Sequence, residues 1–306
     1  MFVEEGFIVQ VILDMDPGID DAIALLIALN AKLKIMGITT VSGNVDIKQA
    51  TYNALRLLDA TGRKITVAQG AEKPLFKRPI HSKHIHGNDG LGNCNLKAKN
   101  RSAIDAQKFF HDILSTHKRK EINILATGPL TNIALLLDRE PLAYKLKKIV
   151  LMGGAYGINK KVRGNVTPYA EFNFYCDPEA ADIVFNSKIR VDAVGLDVTM
   201  NRKCAVTKMA YDAIGRLRGK SANIAHTILS YPFSRYRVFH LHDVFALARL
   251  LHPNMFKTTN CQVSIDKFGK MRGRCVVTLK RGNVNVCSDV NAQSFVGFVM
   301  NGLRQH

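Results

Sequence analysis

Four carboxylates, Asp14, Asp16, Asp20 and Asp21, fall within the run VILDMDPGIDDAIALLIALN, residues 11 to 30. Two unit charges about 4 Å apart repel by roughly 1 kcal/mol in water and roughly 4 kcal/mol at an effective dielectric of 20. A helix N-terminus supplies about half a unit charge, enough for one carboxylate but not for three. The pattern therefore points to a bound cation. A lone Asp-x-Asp would read as a helix cap with a solvated neighbour, but four acids on one turn are not served by that.

The elements that must position these acids are readable around them. An apolar run, Ile8 to Leu13, leads into the cluster, Pro17-Gly18 supply a turn, and the alanine- and leucine-rich segment Ile19 to Leu29 reads as a helix. Leu33 to Val41 is a β-branched strand closing at Ser42-Gly43-Asn44, Ile47 to Ala60 has helical periodicity, and Ile65 to Ala68 is a short third strand. Helices over Ala103 to Thr116 and Leu130 to Leu137, the second just after Pro129, flank a strand at Ile122 to Ala126. Strands at Lys148 to Met152 and Arg190 to Val198 enclose a helix that Pro178 opens and Asp177 caps. One or two helices fill 205 to 240, and an apolar helix starts at His242-Asp243. Beyond Pro253, strands at Thr258 to Ile265, Cys275 to Leu279 and Val284 to Val286 precede a helix over Ala292 to Leu303. This order predicts a single α/β domain over residues 1 to 306, an open, mostly parallel, Rossmann-like central sheet flanked by helices, with a small β-rich C-terminal segment.

In such sheets ligands bind at the C-terminal strand ends, where strand order reverses. Asn44 and Thr127 each follow a strand end. The Thr127 carbonyl can serve a hard cation, or the residue can simply close a turn. Asp243 offers a further carboxylate at another helix start. Residues 71 to 100 hold His81, His84, His86 and the run HGNDGLGN, without the H-x-x-x-H face of a zinc site. They read as a loop able to close over a ligand, with His86 either entering the site or staying on the surface. Asn165, Glu171, Asn173 and Asp177 lie between a strand end and a helix start, and side-chain amides with carboxylates suit vicinal sugar hydroxyls, which both donate and accept. Tyr231, Phe233 and Tyr236 either pack into the core or form a platform for a planar ring.

The 306 residues suffice for one large core. The formal net charge of +18 invites an anionic partner. The cations are dispersed, however: Lys118 to Lys120, Lys147-Lys148, Lys160-Lys161 and Lys267 through Arg274 sit in separate loops. Without a basic stripe carrying aromatics, this argues against a nucleic-acid partner and for a solvated lysine-rich surface. Cys94, Cys176, Cys204, Cys261, Cys275 and Cys287 contain no C-x-x-C pair, which argues against a zinc cluster or a disulfide framework. The N-terminal stretch is acidic where a signal peptide would be basic, and no apolar run approaches membrane-spanning length. A soluble, cytoplasmic protein with no membrane partner is expected.

Six segments together resemble the nucleoside hydrolase family, the calcium-dependent N-ribohydrolases that include the inosine-uridine preferring type. They are the opening D-x-D-P-G-I-D-D, S-G-N at 42 to 44, H-G-x-D-G-L-G at 86 to 92, A-T-G-P-L-T-N-I-A at 126 to 134, A-E-F-N-x-x-x-D-P-E-A-A at 170 to 181, and His242-Asp243. The resemblance spans essentially the whole chain. It implies hydrolysis of the N-glycosidic bond of purine or pyrimidine ribonucleosides, with Ca2+ held by Asp16, Asp21, Asp243 and the Thr127 carbonyl, and with Asp16 as the base for a calcium-bound water. It also implies that Asp20, Asn44, Asn165, Glu171 and Asn173 grip the ribose hydroxyls and that Met152 lines the sugar. His86 and Tyr236 would face the base, His242 would serve as leaving-group acid, and Asp14 would orient the other acids. A homodimer or homotetramer is implied as well.

The chemistry agrees with the residues. Cleaving an N-glycosidic bond builds an oxocarbenium-like centre, which an anionic pocket stabilises while a metal makes hydroxide available near neutral pH. A histidine with its reference pKa of about 6.5 can protonate the leaving base at that pH. Val244 stands where many relatives have proline, and the stretch 225 to 240 matches no subgroup, so base preference is open. Two other readings remain. One is a Mg2+-dependent phosphohydrolase of haloacid-dehalogenase type, whose nucleophile strand D-M-D resembles; it leaves Asp20-Asp21 and His242-Asp243 without a role. The other is a non-catalytic nucleoside-binding protein that retains the pocket.

Overall fold

The computed structural model describes residues 8–99, 102–159 and 161–304. The acidic N-terminal stretch with Glu4 and Glu5, and Lys160 of the Lys160-Lys161 pair, lie outside them. Strand β1 (Val9–Met15) passes through Asp16-Pro17-Gly18 into α1 (Ile19–Asn30); β2 (Leu33–Thr40), α2 (Ile47–Thr61), β3 (Val67–Gln69) and the short α3 (Lys83–His86) follow. Next come β4 (Ile104–Asp105), α4 (Ala106–Thr116), β5 (Ile122–Ala126), α5 (Thr131–Arg139) and β6 (Lys148–Met152). After a long loop the chain forms α6 (Phe172–Cys176), α7 (Pro178–Phe185), β7 (Val191–Val194) and α8 (Leu196–Thr199). The remainder runs β8 (Val206–Thr207), α9 (Lys208–Gly215), α10 (Lys220–Phe233), β9 (Val238–Phe239), α11 (His242–Leu251), β10 (Phe256–Ile265), β11 (Cys275–Thr278), β12 (Val284–Val290) and α12 (Ala292–Leu303).

A ten-stranded sheet has the order β11-β10-β12-β7-β6-β5-β1-β2-β3-β4, while β8 and β9 pair with each other. Neighbours from β4 across to β12 are parallel; β10 runs antiparallel to both β12 and β11, which is the expected β-rich C-terminal segment. β1 is first in sequence yet lies between β2 and β5, so the winding leaves it in both directions. That reversal opens a crevice at the C-terminal ends of β1 and β5. The cluster of acids begins there.

β1 faces two helical layers. Val11, Leu13 and Met15 pack with α1, α10, α11 and α12, whereas Ile12 packs with α4, α5 and α7. Every residue from Ile19 to Leu29 in α1 is buried, because the helix is sandwiched between the sheet and the α10–α12 layer. A helix held on all sides carries Asp20 and Asp21 in its first turn and leaves them little freedom to move apart.

Three boundaries differ from the sequence reading. The helix expected from Ala103 starts at Ala106, because Ile104 and Asp105 pair with β3 and the Asp105 carboxylate accepts the Lys108 N–H at 2.9 Å. The strand expected through Val198 stops at Val194; Gly195 opens α8, whose Asp197 accepts the N–H groups of Tyr156 (2.9 Å) and Gly157 (2.8 Å). β12 runs on to Val290 because its pairing with β10 continues to Phe256. Among the described residues no helix is long and apolar enough to cross a membrane. The six cysteines are buried and unpaired.

Candidate active site

Asp16 follows the last residue of β1, and its Oδ2 accepts the Asn44 N–H at 2.7 Å from the end of β2. Two glycines close in on this carboxylate. A Cβ on Gly128, after β5, would stand 2.7 Å from Asp16 Oδ1, and one on Gly43, after β2, would overlap Asp16 Oδ2. The sequence shows both glycines only as turn residues.

Asp21 is the third residue of α1 and caps its own helix, accepting the Gly18 N–H at 3.0 Å. The same oxygen accepts Asn44 Nδ2 at 3.2 Å, and the other accepts Thr127 Oγ1 at 2.7 Å. Asp243, in the first turn of α11, completes a group with Asp20 and Asp21 whose oxygens lie within 4.8 Å of one another. The tightest cluster therefore includes Asp20, which the resemblance assigns to the sugar, with Asp16 beside it rather than within it. Asp14 faces the other side of β1, where Thr39 Oγ1 (2.5 Å) and Asn132 Nδ2 (2.7 Å) donate to one oxygen.

Burial raises every one of these acids. Asp14 and Asp20 are pushed up to about 7, in both cases chiefly by loss of solvent. Asp16 and Asp243 rise well above the carboxylate range, first through burial and then through neighbouring carboxylates, and Asp21 rises for want of solvent. Asp14 Oδ2 and Asp16 Oδ1 are buried without a hydrogen-bond partner among the described residues. Such a set is incompatible with full ionisation unless a cation is present. Its donors are carboxylate and carbonyl oxygens with no sulfur and no nitrogen, which fits a hard cation of the calcium type.

A pocket of about 360 Å³ opens beside the acids. Asp20, Asn44, Thr127, Asp243, Met152, Asn165, Glu171, Asn173, His86, His242 and Tyr236 all line it. Asp16 and Asp21 do not reach its wall. Glu171 and Asn173 belong to a helical turn rather than a loop: Glu171 caps α6, taking the Asn173 N–H on one oxygen and the Gly154 N–H on the other, each at 2.9 Å. Asn173 Nδ2 donates to the Thr127 carbonyl at 2.7 Å and the Met152 carbonyl at 3.1 Å. Asn165 is exposed, with Oδ1 accepting the Phe172 N–H at 2.9 Å, and Tyr236 stands at the rim. Of the aromatics, Phe233 packs on Tyr211 with ring centroids 4.8 Å apart and Tyr231 lies against the core.

His86 is buried in the site, its Nδ1 accepting the Ile19 N–H at 3.0 Å. That bond leaves the ring proton on Nε2. Burial lowers its pKa to about 3. His81 Nδ1 instead meets the Gly43 carbonyl at 2.8 Å. The His86 loop is tied down by residues the sequence did not single out: Asn53 Nδ2 donates to the carbonyls of Pro17 (3.0 Å) and Asp89 (2.8 Å), and Arg56 Nη2 pairs with Asp89 at 2.9 Å. Also unforeseen on the wall are Val166, Phe172, Met200 and His240.

His242 corrects the expectation of a histidine near its reference pKa. Its Nδ1 lies 2.8 Å from Thr199 Oγ1 and its ring is stacked near His240. Burial, then His240 and His86, lower it to about 3, so in the cation-free protein the ring is neutral at neutral pH.

Residues 11–297 match the family model described as inosine-uridine preferring nucleoside hydrolase. The chain belongs to this family. It is 36% identical over 305 residues to the non-specific ribonucleoside hydrolase RihC of Escherichia coli (strain SMS-3-5 / SECEC), covering 94% of this chain and 96% of that one. Among solved structures it is similar to the plant nucleoside hydrolase PpNRh1 (TM-score 0.89, 31% identity, 97% and 99% of the two chains). It is likewise similar to the purine-preferring ribonucleoside hydrolase from Gardnerella vaginalis (TM-score 0.89, 30% identity, 96% and 98%). As a member of this family the protein is a hydrolase of N-glycosyl bonds. A phosphohydrolase of haloacid-dehalogenase type would need a lysine beside its nucleophile, and among the described residues no lysine lines this pocket.

Proposed function

We propose that this nucleoside hydrolase releases ribose from inosine and uridine, using Ca2+ held by Asp16, Asp21, Asp243 and the Thr127 carbonyl, with Asp16 as general base. The observation that carries the reading is the buried acid cluster opening onto a pocket walled by Asn44, Glu171 and Asn173. The bound cation would offset the carboxylates' mutual repulsion and lower the pKa of a water. Asp16 is set to take that water's proton through Oδ1, the oxygen left without a partner.

Asp20 lines both the cluster and the pocket, so it can hold a ribose hydroxyl against the acids. Asn44 and Asn173 supply amides for the neighbouring hydroxyls, and contacts that tighten as the sugar flattens lower the barrier instead of merely raising affinity. The anionic floor favours the cationic ribosyl centre. His242 and His86 also line the pocket, and we assign to His242 Nε2 the hydrogen bond to the leaving base when Nδ1 accepts from Thr199. The name of the Escherichia coli relative, non-specific, supports a base-tolerant pocket here.

A reducing-sugar assay over a nucleoside panel, with and without a chelator, tests this. Ribose is expected from inosine and uridine, lost on chelation, and lost in a folded Asp16→Ala variant. Phosphate release from sugar phosphates with no ribose from any nucleoside would overturn it.

A further inference from the structure

Some of the cations that look scattered in the sequence, with Lys188 and Arg190, meet at the sheet edge opposite the acids. Arg119 and Lys120 precede β5, Lys147 precedes β6, and Lys188 and Arg190 precede β7. These five line one cavity of about 580 Å³, with Tyr144, Leu146 and Ile189 completing its wall and no carboxylate among them. Among the described residues Arg119, Lys120, Lys147 and Lys188 form no ion pair; Arg190 reaches buried Asp192 at 3.6 Å, an acid that Lys148 already pairs at 2.9 Å.

The five cations are exposed side chains, but the backbone that carries them is tied down. The Lys120 N–H donates to the Lys145 carbonyl at 2.6 Å and the Lys147 N–H to the Ile122 carbonyl at 2.8 Å, which ties the loops before β5 and β6 together. Asn283 Nδ2 donates to the carbonyls of Phe185 (3.2 Å), Ser187 (2.7 Å) and Ile189 (3.0 Å), pinning the loop that carries Lys188. Lys120 itself holds a left-handed backbone, φ 62°, which an ordinary side chain adopts only where its surroundings impose it. Leu146 and Ile189 are buried as a floor, while Tyr144 is 48% exposed and offers a ring face beside the charges.

We propose that this cavity binds a nucleoside phosphate, with its phosphates against Arg119, Lys147, Lys188 and Arg190 and its base on Tyr144. Cations alone would call only for an anion; the aromatic ring and apolar floor add a place for a planar group. Among the described residues no carboxylate, thiol or imidazole lines the cavity, and the proposal is one of binding alone.

Calorimetric titration of the full chain with ADP tests the assignment, with melting temperature as the control for folding. Lys147→Glu combined with Lys188→Glu is expected to weaken ADP at least tenfold, and Tyr144→Ala, which removes no charge, to weaken ADP severalfold while leaving inorganic phosphate unchanged. If the double variant does not fold, Lys188→Gln with Tyr144→Ala carries the test. ADP bound equally by variants and wild type would place it elsewhere, in the catalytic pocket. Inorganic phosphate binding as tightly as ADP would reduce the site to an anion patch, and a short single-stranded oligonucleotide binding more tightly through the same residues would make the partner a polynucleotide. Each of those three results overturns the proposal.

Discussion

Gly128→Ala isolates what the slot around Asp16 does. The new Cβ would stand 2.7 Å from Asp16 Oδ1 and 2.8 Å from Val41 Cγ1, against an ordinary contact limit of 3.4 Å, so the carboxylate must retreat by about 0.7 Å. It has nowhere easy to go, because Oδ2 is held by the Asn44 N–H at 2.7 Å and Gly43 closes the other side. A misplacement of about 1 Å at a reacting group costs on the order of 100-fold, so kcat for ribose release from inosine in saturating Ca2+ should fall about 10- to 100-fold. Overpacking of this kind costs about 1–3 kcal/mol of stability, visible as a lower melting temperature. Both effects should act through Asp16. In an Asp16→Ala background, where the obstructed oxygens are gone, the same methyl should lower the melting temperature less, the remainder coming from its 2.8 Å approach to Val41 Cγ1. A Gly128→Ala enzyme within twofold of wild type, or an undiminished melting penalty in the double variant, would refute the reasoning.

Chelation should make stability depend on pH in a definite direction. Asp14 and Asp20 titrate at about 7 when folded against an ordinary value of 3.8, so the folded protein holds more protons between those limits. The contribution of Asp14 and Asp20 to the stability of the cation-free protein is therefore greatest at low pH, falls as pH rises from about 4 to about 7, and levels off above that, while buried His86 and His242, lowered to about 3, oppose it below about 6.5. Added Ca2+ should raise the melting temperature more at pH 8 than at pH 5; a gain independent of pH would mean that these acids are not what the cation meets. His242→Ala removes the hydrogen bond that the neutral ring offers the leaving base and should slow inosine cleavage about tenfold yet spare nitrophenyl riboside, whose leaving group needs no such help, and equal losses on both substrates would remove the histidine from that step. Arg56→Met should strand Asp89 and the Cys94 carbonyl, which Arg56 Nη2 also serves, at a cost of about 2–3 kcal/mol in thermal or urea unfolding. Because that loop carries His86, KM for inosine should rise in the same variant, and an unchanged KM would show the loop to be held by other contacts.

What could be read from the sequence was whatever depends on neighbours along the chain. The D-x-D-P-G-I-D-D run announces a strand, a turn and a capped helix by local chemistry alone, and Asp177 caps α7 where its Pro178 neighbour said it would. Residues whose roles come from packing were not legible. Gly43 and Gly128 look like ordinary turn glycines until β2 and β5 are laid beside β1 and crowd the same carboxylate. Asp20 reads as one acid among four, and only the arrival of α11 binds it to Asp243. The reference pKa of His242 says nothing of the walls that keep it neutral. The basic residues misled in the same way: separate loops in the chain become one edge once strands β5, β6 and β7 stand side by side.

The central place of β1 has a consequence for how the protein comes into being. The most acidic turn is made early in synthesis, whereas Thr127 joins it from β5 and Asp243 from α11, more than two hundred residues later than Asp21. A growing chain thus carries its least comfortable charges for most of its birth, with only half of their companions available. With the ligand set proposed above, ion capture would mark completed folding, and the fraction of protein that takes up metal would count correctly finished molecules.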